Sequence, residues 1–422
     1  MRIQGRLPRH ACRLPLRKAR SFPQANIQTL SKPALLLISA ASVVGENRKR
    51  LDTLARFFEL TCVTCRTARS IGFDVTLGQE MQPAGYRLIG LDTLGRPETT
   101  TRYILRGLGA ALAGSSFDAI LVESEPWACV RWQAWLYKKL RQPRAIFGEF
   151  SWENVERTGV KGAILSHCYR LACGTDDFAI AGNRAAGRIF LRHGLTAAQI
   201  LVAPQIGVDE VQFSPADAME RRAGRTREGL DGDAFVIGFC GRLIEEKGVM
   251  DLVQAVQTSR AAHPARHLQL ALLGSGPLLA DLERMAGERP WLRLLAPRPH
   301  EEVAGFMRLP DLFVLPSKPS RDAGKVWQEQ FGHVLIEAMS CGVPCIGSDS
   351  GAIPEVIGDD AMIFPAGDAA ALATLIGRAV EMPARPEAVR QRVLDRFTNE
   401  AVARTWAEFI LGRLCSGGNR EP

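Results

Sequence analysis

The chain is predicted to be α/β, with two doubly wound parallel-sheet domains facing a central cleft. Three observations predict this. Short apolar runs alternate with helical patterns over most of the length, the signature of a parallel sheet covered on both faces. The alternation breaks once, at the Arg- and Gly-rich stretch Glu220–Gly232, and then starts again. The length of 422 residues suits two domains.

The first domain is assigned to 33–205. Leu35–Ile38 is a strand, and Arg48–Glu59 a helix with Leu51, Leu54, Ala55 and Phe58 on one face. Leu60–Thr64 is a second strand, and Phe73–Leu77 forms part of another. Thr101–Leu112 reads as a helix. Ala119–Val122 is a strand leading into the loop E-S-E-P-W, and Trp127–Leu140 is a helix. Ala145–Phe147 is a strand followed by the loop G-E-F-S-W-E-N, ending at Asn154. Ala163–Leu171 and Asn183–His193 are helices around the strand Phe178–Ala181, and Ile200–Ala203 closes the series. Residues 206–232 are read as the interdomain linker.

The second domain is assigned to 233–384. Its strands are Phe235–Phe239, Leu268–Leu273, Leu292–Leu295 and Leu312–Leu315; its helices begin with Val249–Val256, Leu279–Ala286 and Val303–Arg308. Residues 329–345 read E-Q-F-G-H-V-L-I-E-A-M-S-C-G-V-P-C. Gly332 opens a short apolar helix, Gly342 stops it, and Pro344 reinforces the stop. Ala369–Glu381 and Val389–Leu411 are terminal helices. Residues 385–422 are expected to pack back towards the first domain. Ligands in such sheets bind beyond the carboxyl ends of the strands.

The net charge of +8 resides in the N-terminal residues. Residues 1–45 hold eight basic residues and no acid, so the remaining 45 basic and 45 acidic residues cancel. The body therefore has no global attraction for nucleic acid. Residues 1–32 are read as a disordered basic extension, a targeting segment or a membrane tether, or as the product of a misplaced start. No apolar run is long enough to span a bilayer. The ten cysteines show no repeated metal spacing. Cys62 and Cys65 sit in an apolar strand pattern and are read as packing. A reduced, cytoplasmic setting fits, with contact to the inner face of the membrane as an extension of it.

Glu329 and Glu337 stand eight positions apart, about 12 Å along one helix, too far to act jointly on one atom. With Gly332 opening the helix, Glu329 lies in the loop above its N-terminus and Glu337 inside it. A helix N-terminus binds an anion, and carboxylates accept hydrogen bonds from hydroxyls. The layout suits an elongated ligand with hydroxyls at both ends and an anion between. The competing reading is an amphipathic helix with two solvated glutamates.

Phe235–Phe239 runs into C-G-R-L-I-E-E-K-G. Gly241 lets the backbone approach a ligand, and Arg242 and Lys247 suit phosphate oxygens; a solvated charged turn is the alternative. Gly274, in G-S-G-P, ends another strand of the same sheet. Trp327 either stacks on a ligand or packs. His333 is read as a helix N-terminal residue offering its backbone N–H rather than as a general base. In the first domain, Glu149, Trp152 and Glu153 are candidates for the acceptor side, against a capped turn. Arg131–Arg144 carries five basic residues, three aromatics and no acid. It is either a helix lying on an anionic membrane or a core helix with a solvated face.

The ordered set G-R-L-I-E-E-K-G, G-S-G-P, E-Q-F-G-H-V-L-I-E-A-M-S-C-G-V-P and G-A-I-P-E-V-I-G resembles the C-terminal domain of retaining glycosyltransferases of family 4, which have the GT-B fold. Gly207–Pro215 resembles the linker signature of the same family. The resemblance covers roughly residues 200–365. It implies transfer from a nucleotide-diphosphate sugar to a glycan or lipid-linked acceptor, with retention and without a bound metal or other cofactor. Its default setting is cell-surface polysaccharide biosynthesis. By position, Arg242 and Lys247 would hold the diphosphate, Glu329 the sugar hydroxyls and Glu337 the ribose. Gly332, His333 and Val334 would offer backbone N–H groups, and Arg298 would lie near the base. A glycine-rich loop after the first strand and an acceptor-side histidine, common in the family, have no clear counterpart. A sugar-nucleotide epimerase, a glycosyl phosphorylase or a non-catalytic nucleotide-sugar-binding partner are the alternatives.

Overall fold

In the computed structural model, residues 31–70, 73–77, 85–96, 101–320, 327–382 and 385–417 are described. Residues 1–30 of the basic extension and most of the loop before Trp327 lie outside them.

The N-terminal sheet contains β1 (Ala34–Ser39), β2 (Glu59–Cys65), β3 (Arg87–Leu91), β4 (Ala119–Glu123), β5 (Ile146–Ser151), β6 (Phe178–Ala181) and β7 (Ile200–Val202). All seven are parallel, in the order β7-β6-β5-β4-β1-β2-β3. The helices are α1 (Lys49–Phe57), α2 (Cys129–Arg141), α3 (Gly159–Cys173) and α4 (Arg184–Arg192). Alternation along the strands sorts the two faces. Leu36, Ile120, Val122 and Phe147 pack under α2, and Ala179 and Ala181 under α3 and α4. Leu35, Leu37, Leu121 and Ile180 pack on the opposite face, under α1.

Helix α5 (Ala218–Arg227) precedes the second sheet, which contains β8 (Phe235–Cys240), β9 (Leu268–Leu273), β10 (Leu292–Leu295), β11 (Leu312–Leu315), β12 (Cys345–Ser348) and β13 (Ile363–Phe364). They too are parallel, in the order β10-β9-β8-β11-β12-β13. Its helices are α6 (Val249–Ala262), α7 (Leu279–Glu288), α8 (His300–Met307), α9 (His333–Ser340), α10 (Ile353–Ile357), α11 (Ala369–Glu381) and α12 (Pro386–Arg396). The strand order reverses between β8 and β11, the crevice where doubly wound sheets take ligands. Both domains are thus doubly wound, as expected.

The last helix, α13 (Asn399–Gly417), crosses back to the N-terminal core, where Val402, Trp406 and Ile410 are buried. The Trp406 ring stacks on Phe150 with centroids 5.5 Å apart. The Arg50 guanidinium lies 4.7 Å from its centroid, and its indole N–H donates to the Pro204 carbonyl at 3.1 Å.

Five expectations need correction. Phe73–Leu77 does not join the main sheet: Phe73–Thr76 pairs antiparallel with Thr67–Ser70, and the strand beside β2 is instead Arg87–Leu91. Thr101–Leu112 is not a helix: Arg102–Leu105 is a strand in a hairpin with Thr93–Arg96, and only Leu108–Ala111 is helical. Tyr103 and Leu105 are buried while residues 102 and 104 are exposed, a period of two, and Gly107 at φ 71° turns the chain. The linker holds α5, whose Arg225 is buried against the Leu309 carbonyl and Asp311. Helix α5 therefore belongs to the C-terminal domain. Strand β5 runs on to Ser151, which takes Glu149 out of the loop and into the sheet. Arg131, the first cation of the basic aromatic helix, is wholly buried. It donates to Glu149 at 3.2 Å and to Asp176 at 2.5 Å.

Replacing Trp406 by Ala should cost the N-terminal domain about 3–5 kcal/mol, the usual figure for removing a buried aromatic. The check is its calorimetric unfolding transition; an unshifted transition would refute the packing account of α13.

Candidate functional site

At the end of β8 and β9, two loops lie backbone on backbone. A Cβ on Gly274 would stand 1.9 Å from the Gly241 carbonyl oxygen, and one on Gly276 2.5 Å from that of Leu243. Leu243 N–H donates to the Ser275 carbonyl at 2.8 Å. Residues Glu245–Lys247 form one tight turn, ended by Gly248 at φ 66°. A Cβ there would meet the Pro316 carbonyl oxygen at 2.0 Å. These contacts press the turn against the end of β11, which places Lys247 at the β8/β11 switch point.

There Lys247 Nζ lies 2.6 Å from Glu329 Oε2, and Ser317 Oγ donates to the same oxygen at 2.8 Å. Lys247 also sits 5.0 Å from the Trp327 ring centroid. Glu329 is buried, and its burial is offset by these two partners. Arg242 is exposed and has no ion-pair partner among the described residues.

Gly332, at φ 80°, is the N-cap of α9, as the sequence predicted. His333 and Val334 follow it in the first turn, where helix geometry leaves N–H groups without intrahelical acceptors. The loop before it is held from both domains. The Glu329 carbonyl accepts from Ala352 N–H at 2.9 Å and from Asn154 Nδ2 at 3.0 Å. Asn183 Nδ2 donates to the Gln330 carbonyl at 3.0 Å, and the Phe331 ring lies 5.7 Å from that of Trp152.

Glu337 is buried inside α9 and accepts from His300 Nε2 at 2.9 Å. That hydrogen bond raises the His300 pKa, whereas burial lowers that of His333. His300 was missed in the sequence. Its signal was the R-P-H triplet beyond β10, at the same carboxyl end of the sheet as the Gly241–Gly248 turn. Arg298 makes two bonds to Glu228, at 2.8 and 3.1 Å, so its guanidinium is already engaged and anchors the loop to the end of α5.

The candidates of the N-terminal domain separate. Glu149 is buried beside Arg131 and does not reach the cleft. Trp152 donates through Nε1 to Gln205 at 3.0 Å. Glu153 accepts from Val155 N–H at 3.2 Å. A carboxyl that the sequence reading passed over, Glu125 in the E-S-E-P-W loop, bonds to Ser151 Oγ and to Trp152 N–H. Burial, reinforced by Glu153 and Glu149, pushes its pKa up to about 8.

With this geometry in place, comparison with known proteins is informative. Residues 234–382 match the family model described as Glycosyl transferases group 1. The chain is 35% identical over 161 residues to a D-inositol 3-phosphate glycosyltransferase of Corynebacterium kroppenstedtii, covering 36% of this chain and 34% of that protein. It is 32% identical over 216 residues to the GDP-mannose-dependent alpha-(1-6)-phosphatidylinositol monomannoside mannosyltransferase of Mycolicibacterium smegmatis, covering 49% and 55%. The matched segments thus span between a third and just over half of these relatives. Over nearly the whole chain the fold is that of solved GT-B proteins. Anabaena HepE in complex with UDP superposes with a TM-score of 0.65 at 16% identity, covering 90% of this chain and 100% of that one. Sucrose-phosphate synthase from Thermosynechococcus elongatus gives 0.65 at 20% identity, covering 91% and 100%.

Glu125 generates a pH test. Its folded pKa of about 8 exceeds the ordinary carboxyl value of 4.5, so the folded state holds the proton more tightly than the unfolded state. The stability from this group is complete below the ordinary value and is lost as pH rises towards about 8. Glu125→Gln should therefore melt above the wild type in mildly alkaline buffer and gain nothing in acid. Equal melting shifts at both ends would contradict the assignment.

Proposed function

We propose that this protein is a retaining, metal-independent glycosyltransferase that moves a sugar from a nucleotide-diphosphate donor to a glycan or lipid-linked acceptor. The observation that carries this is the Lys247–Glu329 pair, with Ser317, beside the N-terminus of α9 at the strand switch point. The family match over 234–382 and the GT-B fold support the class. The relatives' printed acceptors, an inositol phosphate and a phosphatidylinositol mannoside, support a polyol or lipid-linked acceptor.

In this reading Lys247, the exposed Arg242 and the α9 N-terminus receive the diphosphate, so the positive charge comes from the protein. Donor entry exchanges Lys247's contact with Glu329 for one with phosphate and frees Glu329 for the sugar hydroxyls. Glu337, with His300, faces the nucleoside end. The bond between the anomeric carbon and the diphosphate oxygen breaks. The acceptor oxygen bonds to that carbon on the same face, and its proton passes to the departing diphosphate. Catalysis is then electrostatic and positional.

Removing one donor of this type commonly costs about 10²–10³ in rate. Arg242→Ala, Lys247→Ala and Glu329→Ala should each lower kcat at least about tenfold, with Glu337→Ala weakening donor binding more than turnover. Donor consumption and product analysis check this. Near-normal kcat in the first three variants would refute the site. Turnover without an acceptor would favour an epimerase, and a requirement for inorganic phosphate a phosphorylase.

A further inference from the structure

Helices α2, α3 and α4 lie side by side on one face of the N-terminal sheet, and none of them contains an Asp or Glu. Besides Arg131, Arg184 and Arg192, which pair with acids of other elements, they carry Lys138, Lys139, Arg141, Lys161, Arg170 and Arg188. None of these six has an ion-pair partner among the described residues. Two of the helices also leave apolar side chains in water. Eleven large apolar side chains are exposed among the described residues, and five of them stand here. Leu136 and Leu140 are 50% and 68% exposed on α2. Val160, Ile164 and Leu171 are 81%, 59% and 49% exposed on α3. Their spacings, four along α2 and four then seven along α3, put each set on one stripe. Between α3 and α4 lies a cavity of about 470 Å³ whose lining includes Trp127, Tyr169 and Ile189 together with Glu153, Glu156 and Arg192.

We propose that this face docks on an anionic lipid bilayer. Cations around an apolar stripe match the layered chemistry of a bilayer surface, where phosphates lie above the acyl boundary. The other occupants fit less well. A nucleic acid would use the cations but leave Leu136, Leu140 and Ile164 in water. A second copy of the chain, meeting this one about a two-fold axis, would set the same patch against itself. Cations would then oppose cations, with no acid in the three helices to relieve them. The inference does not depend on the chemistry of the cleft, and its test reads binding rather than turnover.

The experiment is co-sedimentation of the full chain with vesicles of phosphatidylcholine alone or mixed with phosphatidylglycerol, at low and high salt. Two variants are compared with the wild type: the charge reversal K138E/K139E/R141E, and Ile164→Asp. The wild type should bind the mixed vesicles, weakly in high salt, and not the neutral ones. Each variant should lower the partition at least about tenfold, with its melting temperature and nucleotide-sugar thermal shift retained. If one variant melts lower, the other decides. Absence of wild-type binding, or equal binding by the variants, overturns the proposal. So does binding that survives both variants but is lost when residues 1–32 are removed, because the terminus would then be the anchor. Self-association abolished by Ile164→Asp would reassign the face to a dimer. RNA binding lost on charge reversal but kept by Ile164→Asp would reassign it to nucleic acid.

Discussion

The backbone of Glu329 is where the two domains and the site meet. Its carbonyl oxygen accepts one hydrogen bond from the C-terminal domain, through Ala352 N–H, and one from the N-terminal domain, through Asn154. Its carboxylate pairs with Lys247 across 82 residues of chain. Gly351, at φ 58°, lies so close that a Cβ would stand 1.9 Å from that same carbonyl. The loop is thus fixed at its main chain and charged at its tip. Only the side-chain contacts are exchangeable for those of a ligand. A buried carboxylate with one cation and one hydroxyl as partners has little tolerance for losing either unless another polar group replaces it.

Further hydrogen bonds cross between the domains close to this residue. Asn154 and Asn183 reach across the cleft to successive carbonyls, of Glu329 and Gln330, and Arg184 N–H meets the Glu355 carboxylate at 3.1 Å. That last contact sets a negative charge at the N-terminus of α4, a favourable pairing with the helix dipole. The N-terminal domain therefore holds the backbone of the loop before α9, besides forming the other wall of the cleft.

What the sequence made legible follows from how local each cause is. Gly332 opening α9, the β8 turn and most strands of both series depend on neighbours a few residues apart, and they appeared where expected; the edge strands β3 and β13 did not announce themselves in the pattern. Two of the misreadings share another cause. Arg131 and Arg225 look in sequence like solvated surface charges, yet both are buried. Each is satisfied by carbonyls and carboxylates that come from distant elements: Ala172, Glu149 and Asp176 for the first, Leu309 and Asp311 for the second. An arginine carries five donors on a long stem, so burial and exposure give the same one-dimensional pattern. Asn154, Asn183 and His300 were missed for the same reason, because each acts on a group supplied by another element.

Charge shows the limit of averaging in a different way. Past the basic terminus the chain is neutral as a sum, with 45 basic and 45 acidic residues, and the sum excludes only a global field. Screening confines a surface charge to about 8–10 Å at physiological salt, so what a partner meets is local. Three consecutive helices without an acid create such a locality, and the fold places all three on one face because successive right-handed crossovers to one side of the sheet must do so. Their one buried cation, Arg131, spends its charge inside on Glu149 and Asp176. Arg184 and Arg192 pair with Glu355 and Glu156, and the other six cations stand beside exposed leucine, valine and isoleucine side chains without an ion-pair partner among the described residues. The motif that suggested a single basic helix was therefore reading one edge of a larger patch, whose extent only the sheet order reveals.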